Sequence, residues 1–329
     1  MDDIELCEYL EHRDRHSISR LISNNQNFFR QLLALIEKDI RICEWKSSTI
    51  TAEQQLLVVL RFHATGSVQK VQGDMIGFSQ PTISRVVSRV SEVLAKLAGE
   101  YIVFPPAEEW NEKLFYDIAS FPGVIGAIDG THIEVQVPKA VQERFRNRKN
   151  RITLNVQAVV DAKMKFTNLV VRWPGSVHDS RIFRNSALYD FLETNNINGH
   201  LLGDAGYACK NYMMTPLANP TSPAEKRYQI SHTKTRNVIE RTFGAWKAKF
   251  YCLHIPLRIS LKNTLNVIVA CGVLWNFLIN IGDEITENSF ACDLPEDVNE
   301  AELNQSANND NRGTAKRCLL IDRYFQEIQ

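Results

Sequence analysis

Apolar positions recur at helical spacing through the first hundred residues. Phe28, Leu32, Leu35 and Ile36 recur at helical spacing, as do Ile36 and Ile40, which predicts a small helical segment within residues 1–50, with Asn24-Asn25 as a break. Thr51-Ala-Glu-Gln54 has the capping-box pattern, in which the hydroxyl and the Gln satisfy opposite amides at a helix start. A helix is expected from there to about Thr65, stopped by Gly66. Val68 to Ile76 predicts a second, short helix stopped by Gly77. Ser79 is expected to cap a third, with Pro81 in the first turn, where a missing amide costs little. Ile83, Val86, Val87, Val90, Leu94 and Leu97 make its apolar stripe, and Thr82, Arg85, Arg89, Glu92 and Lys96 lie opposite. Helix, short helix, tight turn and basic-faced helix predict an all-α, helix-turn-helix-like domain over residues 51–104. Gln80, Thr82, Arg85 and Arg89 are its candidate DNA contacts. The same pattern also describes a three-helix packing module whose arginines only solvate a face.

Phe104-Pro-Pro106 closes that region, because the residue before a proline is pushed into extended geometry. The period then changes. Val124–Ile128 is a continuous apolar run, as in a central strand buried on both faces. Leu154, Val156, Ala158 and Val160 alternate with Thr153, Asn155 and Gln157, which predicts a half-buried strand. Asp161 to Lys165 reads as a turn, and Phe166 to Trp173 as a returning strand broken by Pro174-Gly175. Ser180 to Leu192 predicts one helix, residues 193–199 a polar loop, and Leu201-Leu202 a short strand. Pro216, Pro220 and Pro223 mark a loop-rich insertion, placed to cover a site or contact a ligand. From Ile239 the apolar residues 239, 243, 246 and 250 make a helix stripe. Glu240 lies beside it, with Lys247 two turns further on the same side, in reach of a phosphate. Leu265 to Ile281 is the most apolar stretch; Asn266, Asn276 and Asn280 interrupt it, so a buried helix is expected and no membrane span. Residues 298–311 are expected to be disordered, and Arg317 to Phe325 to form a short docked helix.

Composition adds one asymmetry. The 329 residues carry no formal net charge, yet residues 138–172 hold nine Lys/Arg against two acids. Residues 226–262 hold nine against one, and residues 283–310 hold nine acids and no base. A basic centre beside an acidic tail points to a polyanionic partner, with clustered surface charge as the plainer reading. Arg144, Arg146, Arg148, Lys149 and Arg151, with Phe145 among them, are the densest basic segment and the candidate contacts to a nucleic-acid backbone. Seven scattered cysteines without a Cys-x-x-Cys pair argue against a zinc knuckle or a disulfide framework. The acidic opening Met1-Asp-Asp-Ile-Glu is unlike a signal peptide.

Three acids carry the candidate chemistry. Asp129 and Asp204 close short apolar runs, and Glu240 sits on a predicted helix. Hard oxygen ligands on rigid elements, drawn from distant parts of the chain, suit a two-metal phosphodiester site. Taken singly, an Asp at a strand end is more often a turn or cap, and a Glu on a helix is usually solvated.

The segments Gly126-Ala-Ile-Asp-Gly-Thr-His132, Pro174-Gly-Ser-Val-His-Asp-Ser-Arg-Ile-Phe183, Leu202-Gly-Asp-Ala-Gly-Tyr207 and Val238-Ile-Glu-Arg-Thr-Phe243 resemble the PIF/Harbinger family of DDE transposases and its host-adopted nucleases. The 35 residues between Asp204 and Glu240 match the separation in that family, and the resemblance runs from about Thr51 to Ile281. It implies an RNase H-like catalytic domain, a mixed sheet flanked by helices with the first and fourth strands adjacent. The expected division is an N-terminal helical segment over 1–50, a helix-turn-helix-like domain over 51–104, the catalytic domain over 105–282, and an acidic, largely flexible tail over 283–329 with a docked helix. It further implies Mg²⁺ or Mn²⁺, two ions per site, on Asp129, Asp204 and Glu240, with Asp129 as the bridge. Cleavage of double-stranded DNA would leave a 3′-hydroxyl, which in a transposase attacks target DNA. A Myb/SANT-like partner protein, a homodimer or higher oligomer, and a nuclear location, also cytoplasmic before the partner aids import, belong to the same implication.

Relatives carry an acid at Asp179, read here as a helix cap, a partner of Arg181, or a group beside the metal ligands. His132 orients a neighbour or the substrate, or packs on the strand. Trp275 stands where relatives often have histidine, so no family role transfers to it. Three functions follow: an active transposase, a domesticated nuclease that no longer moves an element, and a non-catalytic DNA-binding or adaptor protein. The intact trio favours the first two.

Overall fold

The computed structural model describes residues 26–41, 50–195, 197–282 and 310–326. The tract expected to be disordered lies, up to residue 309, outside the described residues, as do residues 1–25. In chain order the helices are α1 (Gln26–Ile40), α2 (Ala52–Thr65), α3 (Gln69–Ile76), α4 (Gln80–Lys96), α5 (Ala98–Tyr101), α6 (Glu112–Ala119), α7 (Gln142–Phe145), α8 (Asp179–Arg184), α9 (Ala187–Thr194), α10 (Pro223–Lys249), α11 (Leu261–Asn280) and α12 (Asn311–Tyr324). The strands are β1 (Val124–Glu134), β2 (Thr153–Val160), β3 (Phe166–Pro174), β4 (His200–Leu202) and β5 (Met213–Met214).

Two compact units follow contacts more than chain order. Of the described residues, a helical unit gathers 26–41, 50–101, 133–143 and 245–282; an α/β unit gathers 102–132, 144–195, 197–244 and 310–326. The first break, at Tyr101, lies near the Phe104-Pro-Pro106 boundary. Residues 133–143 and 245–282, assigned by sequence to the catalytic stretch, group instead with the helical unit.

In the helical unit, α2 starts on the full capping box: Thr51 Oγ1 accepts the Gln54 amide at 3.2 Å and Gln54 Oε1 accepts the Thr51 amide at 3.1 Å. It ends on Gly66 at φ 61°, a left-handed cap that a side chain would strain. α3 ends the same way on Gly77. Ser79 does begin α4, but its hydroxyl pairs with the Thr82 hydroxyl at 3.0 Å and leaves the helix-end amides alone. α4 packs on α2, α3 and α11 through Ile83, Val86, Val87, Val90 and Leu94, all buried. Each such side chain withdrawn from water contributes roughly 1.5–3 kcal/mol. α11 is long and apolar enough to cross a membrane by length and composition, but most of it is buried in this unit, as the sequence predicts.

The α/β unit carries a five-stranded mixed sheet in the order β3-β2-β1-β4-β5. β1 and β4 are parallel neighbours, β2 and β3 antiparallel, and β4 and β5 parallel. The adjacency expected of the first and fourth strands is present. Ile125, Ile128, Val159, Phe183, Leu188, Leu201 and Met213 make the centre of the core.

Four expectations are corrected here. β2 is buried along its whole length, not on one face, because Thr153, Asn155 and Gln157 have polar partners inside. The helix expected over residues 180–192 is broken into α8 and α9, with Ser186 capping the second through the Tyr189 amide at 3.2 Å. The proline-rich stretch contains β5 and the start of α10, which runs 27 residues from Pro223. Ser222 and Glu225 close a capping box at that start: Ser222 Oγ accepts the Glu225 amide at 3.2 Å, and Glu225 Oε2 accepts the Ser222 amide at 2.8 Å. The C-terminal helix is longer than Arg317 to Phe325 and docks against β5; Lys316 Nζ donates to the carbonyls of Gly199 at 3.2 Å and Asn211 at 2.7 Å.

Candidate active site

Strand pairing decides where the first two acids emerge. Ala127 of β1 lies opposite Leu202 of β4 in parallel register. Asp129 and Asp204 each follow that pair by two residues, so they leave the same end of neighbouring strands. Val124 to Ile128 are buried, and the strand first becomes partly exposed at Asp129. Asp204 opens a turn, its Oδ1 accepting the Gly206 amide at 3.0 Å.

Glu240 projects from α10 and is about half exposed, at 48%. One helical turn earlier stands Arg236, which sequence reasoning missed. Its Nη1 donates to Asp129 Oδ2 at 2.8 Å, and its Nη2 donates to Glu240 Oε1. The guanidinium thereby joins the strand acid to the helix acid. The remaining oxygen of Asp129, Oδ1, accepts the Gly130 amide at 2.8 Å.

Electrostatics ties in the third acid. The Asp129 carboxyl is raised to about 6: burial is the largest cause, the charges of Asp204 and Glu240 add to it, and Arg236 and the Gly130 amide oppose it. Burial works against the Arg236 cation, but Asp129, Glu240 and Asp204 together raise its pKa. Among the described residues no three His, Cys, Asp or Glu side chains stand ready to hold a metal ion. The cation that joins two of the three acids here, Asp129 and Glu240, is Arg236. The donor set still fits a hard divalent ion, being three carboxylates around a place that already holds positive charge.

Asp179 is the first residue of α8, and His178 is its cap, which removes the cap reading. Its Oδ1 accepts Asn155 Nδ2 at 2.6 Å. A Cβ on Gly130 would meet that oxygen at 2.3 Å, so glycine lets Asp179 approach the strand beside Asp129. Gln157 Nε2 donates to the Asp179 carbonyl and to Tyr207 Oη, each at 2.8 Å. Burial, with the charges of Asp179, Asp129 and Asp204, keeps the Tyr207 phenol protonated far above its usual range. His132 Nδ1 lies 2.9 Å from Thr153 Oγ1 and so orients a neighbour on β2.

Asn155, Gln157, Tyr207 and Arg236 are the functional neighbours that the sequence left unassigned. Each had a signal: the polar phase of an alternating strand, the last residue of the Asp204 motif, and a base four residues before Glu240, the spacing of facing residues on a helix.

The basic segment forms a tight turn anchored by buried Phe145. Asn147 Oδ1 accepts the amides of Lys149 at 3.0 Å and Arg151 at 2.9 Å. Arg144, Arg148, Lys149 and Arg151 are exposed, while Arg146 is half-buried and bonded to Asn150 Oδ1 at 2.7 Å. Arg148 Nη2 lies 2.7 Å from His178 Nδ1. In the helical unit Gln80 and Arg85 are exposed, and Thr82 is engaged by Ser79. Two other candidate contacts are partly buried. Arg89 turns inward, its Nη2 donating to Gln55 Oε1 of α2. Lys247 is half-buried, and burial lowers its pKa to about 8.

A family profile described as DDE superfamily endonuclease matches residues 128–276. HARBI1 of Homo sapiens, whose name marks it as a candidate nuclease, is 34% identical over 267 residues, covering 79% of this chain and 76% of the relative. The Xenopus laevis counterpart is 31% identical over 274 residues, covering 81% and 79%. Protein ALP1-like of Arabidopsis thaliana is 22% identical over 298 residues, covering 84% and 73%. No solved structure matches the chain.

Proposed function

Because this chain belongs to the Harbinger transposase-derived family of DDE superfamily endonucleases, we propose that it is a divalent-metal-dependent DNA endonuclease built on an RNase H-like domain. The observation that carries the reading is the emergence of Asp129 and Asp204 from one end of paired strands, with Glu240 joined to Asp129 through Arg236. Asp129, Asp204 and Glu240 would hold Mg²⁺ or Mn²⁺, two ions per site, which when bound stabilise the charge on the attacking and leaving oxygens. Water attacks the phosphorus, the bond to the 3′-oxygen breaks, and the products are a 3′-hydroxyl and a 5′-phosphate. The chain's own part is to hold its acids in place. Gly130 fixes one oxygen of Asp129, Gly206 one of Asp204, and Asn155 and Gln157 hold the start of α8 against the strand. The exposed arginines of residues 144–151 supply phosphate contacts, and α3–α4 with Gln80 and Arg85 act as a helix-turn-helix toward duplex DNA. Nuclear residence, a Myb/SANT-like partner and a dimeric or higher assembly complete the reading.

The likeness to HARBI1, whose name marks it as a candidate nuclease, fits a domesticated enzyme and an active transposase equally. Terminal inverted repeats flanking the gene would mark the latter. The enzymatic claim is tested by nicking of a labelled duplex under Mg²⁺ and Mn²⁺. Asp129→Ala is expected to lower the rate by about a thousandfold or more, the scale of losing charge stabilisation at the reacting oxygens. Equal rates in wild type and variant end the reading.

A further inference from the structure

Three carboxylates close enough to influence one another need a counter-charge whether or not a metal is present. The chain supplies one. Arg236 is only 17% exposed, and its two terminal nitrogens reach different elements, Asp129 on β1 and Glu240 on its own helix. Both oxygens of Asp129 are thereby engaged, Oδ1 by the Gly130 amide and Oδ2 by the guanidinium. A guanidinium does not leave by losing its proton, because it stays charged at any working pH. It leaves only by moving. A divalent ion on Asp129 therefore meets a resident competitor with the same charge sign and the same oxygen.

We propose that Arg236 is a positioning residue that acts as the site's built-in counter-cation: it holds Asp129 and Glu240 in place before metal arrives, and metal must displace it from Asp129 Oδ2 to bind. The inference rests on the metal-dependent nuclease reading and deepens it. Metal affinity, on this view, is set by the cost of releasing Arg236 as much as by the acids themselves. A purely structural ion pair that stays closed when metal binds would change metal affinity only through its charge, so Arg236→Lys, which keeps the charge and loses the fork, would then bind Mn²⁺ no more tightly than wild type.

The test is Mn²⁺ titration of the full chain without DNA, by calorimetry, together with melting temperature with and without Mn²⁺. Wild type, Arg236→Gln, Arg236→Lys and Asp204→Asn are compared. Arg236→Gln is expected to melt lower without metal, to bind Mn²⁺ about tenfold tighter, and to gain more from Mn²⁺ than wild type does, because the opposing charge is gone. Arg236→Lys keeps a charge but loses the two-pronged fork and should fall between. Should Arg236→Gln fold only with Mn²⁺ present, that rescue supports the proposal, and the lysine variant still reports the affinity. Equal or weaker Mn²⁺ binding by either variant overturns it, even with wild-type binding intact and lost in Asp204→Asn. Absence of Mn²⁺ binding in wild type and in every variant overturns the metal reading and this proposal together.

Discussion

The helix α4 and the α/β-unit part of α10 bury their inner faces in opposite ways. α4 hides Ile83, Val86, Val87, Val90 and Leu94. α10 hides Tyr228, Ser231, His232, Thr235, Val238, Ile239 and Thr242, of which four are polar. Three of those four have partners: Ser231 donates to the Ala119 carbonyl at 2.6 Å, His232 Nε2 lies 3.1 Å from the Met214 carbonyl, and Thr242 donates to the Val238 carbonyl at 2.7 Å; the Thr235 hydroxyl is buried with no partner among the described residues. One helix is held by area removed from water, the other partly by hydrogen bonds that must be made once the groups are buried. The helix with the polar inner face is the one that carries Arg236 and Glu240.

The largest way to sharpen this contrast is acid. His200 and His232 are buried in the α/β unit and His63 in the helical unit. Burial holds His63 and His232 near about 3, against 6.5 for an exposed imidazole, and holds His200 well below 6.5. Lys316 and His232 act on His200, and Arg236 and Arg317 on His232, all in the same downward direction. The folded state thus refuses protons that the unfolded chain accepts below pH 6.5. Stability is fully present above that pH and falls as pH drops toward 3, by up to about 1.4 kcal/mol per pH unit for each imidazole. The α/β unit, with two of the three, is expected to lose amide protection first in hydrogen exchange between pH 6 and 4. Simultaneous loss in both units would break the comparison.

The contrast also explains what could be read from the chain. α2, α3 and α4 were legible because the buried face was apolar and the ends carried Thr51, Gly66, Gly77 and Ser79. β1 and β4 were legible for the same reason, and so the exits of Asp129 and Asp204 were too. β2 was misread as half-buried because Asn155 and Gln157 are interior and polar, their amides bound to Asp179 and Tyr207. Residues 223–238 failed likewise, since Ser231, His232 and Thr235 do not register as a hydrophobic stripe. The acids were found by resemblance, whereas Arg236 depends on a pairing between β1 and α10 that local pattern does not encode.

A smaller effect separates two arginines on one helix. Arg89 is lodged against Gln55, while Arg85 is exposed. Arg89→Ala should cost the helical unit about 1–3 kcal/mol, by stranding the Gln55 oxygen and removing buried stem, read as a lower denaturation midpoint. Arg85→Ala should leave stability within about 0.5 kcal/mol. On the helix-turn-helix reading it should also reduce the slope of log affinity against log salt by about one. If the two swap roles, the inward orientation of Arg89 is wrong.

The smallest effect asks whether helix ends follow the same rule in both units although helix faces do not. Thr51 and Ser222 each accept an amide three residues on, and each receives the reciprocal bond from Gln54 or Glu225. Pro223 sits in the first position of α10, where it lacks only an amide that has no helical partner. The sequence Ser-Pro-Ala-Glu therefore encodes a helix start as clearly as Thr-Ala-Glu-Gln does, and reading its proline as loop punctuation concealed it. Thr51→Ala and Ser222→Ala should each cost about 1 kcal/mol, since a cap compensates helix-end amides whatever the helix buries later. Thr51→Ala should speed exchange at the start of α2, and Ser222→Ala at the start of α10. A cost near zero for Ser222→Ala would mean that the reciprocal bond from Glu225 and the packed polar face hold the start of α10 without the serine hydroxyl.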